Sequence, residues 1–184
     1  MRRRTLMFAT IGGSMLATSA GAAAPDLTNT VYMDLKYGQV VIELRPDLAP
    51  KNVAQVEKLI NQHFYDGTPF WRVIAGFMAQ GGDPTGSGTG GSKLPDLPAE
   101  FTDQAEFLRG TIGMARTSDP NSANSQFFIC LAPATFLDGK YTIIGQVVKG
   151  MEYVDEIKKG TGDNGRVTDP DRIITMRMAS QAKN

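Results

Sequence analysis

The stretch Phe70-Trp71-Arg72-Val73-Ile74-Ala75-Gly76-Phe77-Met78-Ala79-Gln80-Gly81-Gly82-Asp83 places one permanent cation among aromatic and aliphatic side chains. Its β-branched and aromatic content predicts a strand from Phe70 to Ile74, interrupted at Gly76 and ended by Gly81-Gly82-Asp83-Pro84. Alternation puts Phe70, Arg72 and Ile74 on one face and Trp71 and Val73 on the other. A guanidinium keeps its charge and is rarely sealed in a core without a partner. Arg72 therefore points to water or lies in a half-open apolar groove. Taken alone it reads as a solvated strand residue. The surrounding chain favours the groove.

Upstream, Val31, Met33 and Leu35 alternate with polar neighbours, and Val40 to Leu44 returns after Tyr37-Gly38. This predicts a hairpin. Val53, Val56 and Ile60 fall at helical spacing after Pro50, which predicts an amphipathic helix ending near Gln62. His63, the only histidine, then reads as a helix-end residue rather than a ligand. Downstream, strands are predicted at Leu108–Ala115, Ser125–Leu131, Tyr141–Val148 and Ile173–Met178, with a short second helix around Met151–Ile157 closed by Gly160. In the second of these strands Gln126 and Phe128 share one face, while Phe127 and Ile129 share the other. Seven or eight short strands and two helices in one domain point to a closed barrel or a sandwich.

The glycine run Gly86-x-Gly88-x-x-Gly91 matches a dinucleotide fingerprint in form only. Pro95 and Pro98 follow where a helix should open. The run instead suits a surface loop lying close to another surface. No carboxylate pair in an apolar setting, metal-ligand cluster or nucleophile with a nearby base is legible. Cys130 is the only cysteine, so an intramolecular disulfide cannot form, and it reads as a small buried hydrophobe. A greasy surface, a few amides and one arginine suit a reaction with no proton transfer and no covalent intermediate. No cofactor or metal is expected.

The first two dozen of the 184 residues read as a signal peptide. Met1-Arg2-Arg3-Arg4 is a basic start, Leu6–Leu16 a short apolar run, and Ala20-Gly21-Ala22 a small-x-small cleavage site, with cutting expected after Ala22. A single mature domain is then expected over residues 25–184, exported to the periplasm or secreted. Removing 1–24 leaves 16 basic against 19 acidic residues. A mildly acidic domain without a basic run has no electrostatic footprint for nucleic acid or for an anionic membrane.

Here the motifs become specific. Phe70-x-Arg72-Val73-Ile74-x-x-Phe77-Met78-x-Gln80-Gly81-Gly82-Asp83, Ser125-Gln126-Phe127-Phe128-Ile129 and Leu137-Asp138-Gly139-Lys140 resemble, in order and spacing, the signature of the cyclophilin-type peptidyl-prolyl cis/trans isomerases. Met114-Ala115-Arg116 and the glycine run resemble the bacterial branch. The resemblance implies a mainly β fold: a closed eight-stranded antiparallel barrel capped by two α-helices, with a groove on its outer wall. It implies Arg72 as the catalytic arginine and Phe77, Met78, Phe128 and Leu137 as the proline pocket. It makes Gln80 and Gln126 the groups that hold substrate backbone. Phe136 stands where animal members carry tryptophan and Tyr141 where they carry histidine. Without an indole N–H, cyclosporin affinity is expected to be weak. Partners are then proline-containing polypeptides, met by a monomer. The alternative is a barrel that binds such segments without turning them over. One check is built in: Phe77 and Met78 can share a pocket only if a bulge or strand end falls at Gly76.

Overall fold

A computed structural model describes residues 27–182. The expected signal segment, residues 1–24, lies outside the described residues. Eight strands run in chain order: β1 (Thr30–Leu35), β2 (Gly38–Leu44), β3 (Arg72–Ile74), β4 (Met78–Gly81), β5 (Thr111–Met114), β6 (Phe127–Cys130), β7 (Ile143–Lys149) and β8 (Thr175–Met178). Two α-helices, α1 (Pro50–Asn61) and α2 (Met151–Asp155), and two 3-10 turns, Thr135–Leu137 and Ala179–Gln181, complete the elements among the described residues. The strands form one antiparallel sheet in the order β3-β4-β6-β5-β7-β2-β1-β8.

The expected closed barrel is corrected to an open, curled half-barrel, because β3 and β8 share no ladder. Only a seam joins the two edges. Gly67 N–H donates to the Ile173 carbonyl (2.8 Å), Ile173 N–H to Thr68 (3.0 Å) and Phe70 N–H to Asp171 (2.8 Å), around one bridge at Pro69–Arg172. Pro69 has no N–H to donate, and Pro170 lies in the facing segment, so pairing cannot continue. The outer edge of β3 is also covered. Val73 N–H reaches the Gly165 carbonyl (2.8 Å), and Gly160 and Val167 N–H reach Val73 and Trp71 (2.9 and 3.0 Å). An unpaired edge would invite pairing with another chain.

A second correction concerns Phe70. It precedes β3 and is fully buried with Val73 in the interior, not on the face of Arg72. The strand begins only at Arg72, so alternation does not extend back to Phe70. Across the sheet, Val73, Ala79, Ile129 and Ile112 stand opposite one another and fill the concave side. Val53, Val56, Leu59 and Ile60 of α1 and Val154 of α2 close over the same core. α1 begins at Pro50 without a side-chain cap from its own sequence neighbourhood. Glu100 supplies one instead, its carboxylate accepting from Lys51 N–H (3.1 Å) and Asn52 N–H (2.9 Å). His63 follows α1 in a left-handed conformation, φ +58°, as expected of a helix-end residue.

Candidate active site

The convex face carries the other half of the alternation. The ladders set Arg72 opposite Gln80, Gln80 opposite Phe128, and Phe128 opposite Gly113. In the next row Ile74, Met78 and Cys130 stand together. Three neighbouring strands thus deliver a cation, an amide and an aromatic ring side by side, and β5 adds a glycine at the end of the row. Gly113 is required at the end of the row, since a Cβ there would lie 2.6 Å from both Phe107 and Phe128. The space it leaves lets those two rings stack at 5.6 Å. Phe128 also meets Tyr141 edge-on at 5.7 Å, which fixes it from two sides.

β3 and β4 are joined by a tight turn at Ala75–Phe77, with Gly76 at φ +71°. The strand end expected there is present. It frees Phe77 from alternation, so Phe77 and Met78 both face the same groove. The groove has a volume of about 280 Å³ and is lined by Arg72, Phe77, Met78, Gln80, Phe128, Phe136, Leu137 and Tyr141, together with Ala115 and Arg116. Phe136 and Leu137 come from the 3-10 turn Thr135–Leu137. Leu137 is buried, whereas Phe136 is 61% exposed with its ring 5.4 Å from that of Phe77. Cys130 lies under the groove floor, where burial pushes its thiol up to about 12. It is an inert apolar filler.

Arg72 is half-buried and oriented by two acceptors. Its Nε donates to the Asn164 carbonyl (2.8 Å) and its Nη1 to Gln80 Oε1 (3.2 Å). Gln80 Nε2 then donates to Gln126 Oε1 (3.0 Å), which also accepts from Trp71 Nε1 (3.1 Å). Gln126 Nε2 donates to the Gly88 and Gly90 carbonyls (3.1 and 2.9 Å). Gln126 does not line the groove itself. It lines a neighbouring cavity of about 460 Å³, with Gln80, Ala115 and Arg116 shared between the two.

The family model for cyclophilin-type peptidyl-prolyl cis-trans isomerases matches residues 30–178, nearly all of the described chain. The chain belongs to this family. A probable peptidyl-prolyl cis-trans isomerase of Brucella suis is 52% identical over 174 residues, covering 88% of either chain. A human peptidyl-prolyl cis-trans isomerase-like protein is 37% identical over 147 residues, 78% of this chain and 89% of its own. The fold is similar to that of a Hirschia baltica cyclophilin at a TM-score of 0.76 and 28% identity, covering 86% of this chain and 76% of the other. It is also similar to a Cryptosporidium parvum cyclophilin-type isomerase solved in the presence of the dipeptide Ala-Pro, with a TM-score of 0.75 and 28% identity over 84% and 99% of the chains.

Two features beside this cyclophilin's groove are not legible in the sequence. The Met114-Ala115-Arg116 motif gives Arg116 no role, yet its guanidinium packs on the Tyr141 ring at 4.4 Å. The glycine run shows in the sequence only as a loop suited to lie near another surface. It is in fact organised around Asp83, fully buried, whose carboxylate accepts from Thr85 N–H (2.8 Å), Gly88 N–H (2.6 Å) and Gly90 N–H (3.1 Å). Burial works to raise the Asp83 carboxyl, but the bonds from Thr85, Gly88 and Gly90 outweigh it and hold it below the usual range. A carboxylate three residues before the serine- and glycine-rich run is the available signal.

Proposed function

We propose that this cyclophilin accelerates X–Pro rotation in exported polypeptides by stabilising the half-turned imide with the Arg72 guanidinium. Amide resonance opposes that rotation with a barrier of about 18–20 kcal/mol. In the twisted state the proline nitrogen regains its lone pair and becomes a hydrogen-bond acceptor. A donor waiting there lowers the barrier only if it binds the twisted state more strongly than either planar one. The proline ring sits in the notch of Phe77, Met78, Phe128 and Leu137. The carbonyl before it swings, while Gln80 and Gln126 hold backbone. No bond is made or broken and no cofactor is required.

The observation that carries this reading is the state of Arg72. Two of its N–H groups are spent on fixed acceptors, and Nη2 has no hydrogen-bond partner among the described residues. The cation is thereby oriented beside the apolar notch with donors to spare. Low-dielectric walls strengthen its field. In a protease-coupled assay on a proline tetrapeptide, Arg72→Ala is expected to lower kcat/KM by about 10²–10³. An unchanged rate would refute the role. Loss of turnover with peptide affinity intact would show that binding and catalysis separate at this residue.

Export rests on the basic start, apolar run and small-residue site of residues 1–24. Terminal sequencing of protein from the periplasmic or culture fraction should give a chain starting at Ala23. Retention of Met1 in the cytoplasm would overturn the exported clients and leave the chemistry standing.

A further inference from the structure

We propose that Arg116 is a specificity residue that favours substrates with an acidic side chain directly before the proline. This rests on the isomerase reading of the groove and adds a substrate class to it.

Gln80, Ala115 and Arg116 form the wall shared by the groove and the larger cavity beside it. If the imide nitrogen faces Arg72, the residue attached to that nitrogen leaves on the Arg72 side. Gln80, bonded to Arg72 Nη1, leads from there to the shared wall. The residue before the proline therefore passes Arg116.

The Arg116 guanidinium is held ready. Nε and Nη2 donate to the Lys140 carbonyl (3.2 and 2.8 Å), Nη1 donates to the Thr117 carbonyl (2.9 Å), and the plane rests on Tyr141. Three of five N–H groups are spent, leaving one on each terminal nitrogen, the pair that grips a carboxylate end-on. A guanidinium already fixed loses little freedom on binding. Charge agrees with geometry. The groove lining contains Arg72 and Arg116 and no carboxylate, although the whole chain has 19 basic and 19 acidic residues. Lys140 adds a third cation at the rim, its ammonium 3.0 Å from the Phe136 carbonyl. The one carboxylate of the neighbouring cavity, Asp96, is already paired with Asn124 Nδ2 at 2.9 Å.

The test is kcat/KM on four tetrapeptides differing only before proline, with Glu, Gln, Lys or Ala there, for the wild-type chain, Arg116→Gln and Arg116→Lys. Taking ratios within each variant cancels any general loss of activity. Wild type should prefer Glu over the isosteric Gln by roughly two- to five-fold, the range of an exposed ion pair, and rank Lys below Gln. The preference should shrink in about 0.5 M salt, where the screening length falls to a few ångströms. Arg116→Gln should bring Glu and Gln to parity, and Arg116→Lys should keep part of the difference. Equal rates for Glu and Gln in wild type, or a preference that survives Arg116→Gln, would overturn the proposal while leaving the isomerase reading intact. No turnover of any peptide would overturn both.

Discussion

Arg72 shows how much one side chain's role depends on its neighbours. A lysine would keep the charge but offers one nitrogen, which cannot serve the Asn164 carbonyl, Gln80 and a substrate imide at once. Arg72→Lys is therefore expected to turn over proline peptides at least about tenfold more slowly than wild type, with KM little changed. Recovery of the wild-type rate would mean that charge alone suffices. At this scale the sequence was informative where a motif covered the residue. Eight of the nine expected site residues line the groove, and Gln126 is one hydrogen bond away through Gln80. Asn164 was not legible, because it acts through a backbone carbonyl that any residue could supply. Arg116 was visible as a charge at a strand end, but nothing in the chain placed Tyr141 beneath it.

The strands and helices were legible to within a few residues, because period-2 and period-3.6 patterns report burial directly. The expected strand at Leu108–Ala115 shortens to Thr111–Met114, since Leu108 is exposed and Arg109 turns out to Asp155. What patterning cannot show is how loops are anchored at long range. The Gly86–Gly91 loop depends on Asp83, and its carbonyls fix Gln126 behind the groove. Asp83→Asn would turn an amide donor toward the backbone N–H groups that now share the carboxylate. Losing such buried bonds should cost about 1–3 kcal/mol. Urea unfolding should show the loss, and kcat/KM should fall as Gln126 is released. Wild-type stability with reduced activity would place the effect on the site alone; wild-type values for both would show that the loop does not need its anchor.

At the scale of the whole molecule, the closed barrel was the expectation that did not hold, and the seam that replaces a ladder makes stability depend on acid groups. Asp66, just before the seam, binds Arg177 of β8 through both oxygens (2.7 Å each) and accepts from Met176 N–H (3.0 Å). Asp171, inside the seam, takes Lys36 (2.6 Å), Tyr37 Oη (3.0 Å) and Lys158 N–H (2.9 Å). Burial alone would raise both carboxyls; the bonds from Arg177 and Met176, and from Lys36, Lys158 and Tyr37, hold each below its usual value. A depressed folded value means that the unfolded chain takes up protons first as pH falls. Stability is then fully present above about pH 4, the unfolded carboxyl range, and is lost as pH drops through the lower folded values. The urea midpoint should stay flat from about pH 7 to 5 and decline below about 4. In Asp66→Asn/Asp171→Asn the midpoint should start lower and fall less, so that the curves converge in acid. Parallel curves would mean that the acid-sensitive groups lie elsewhere, and that the two edges of the sheet are held together by their backbone bonds alone.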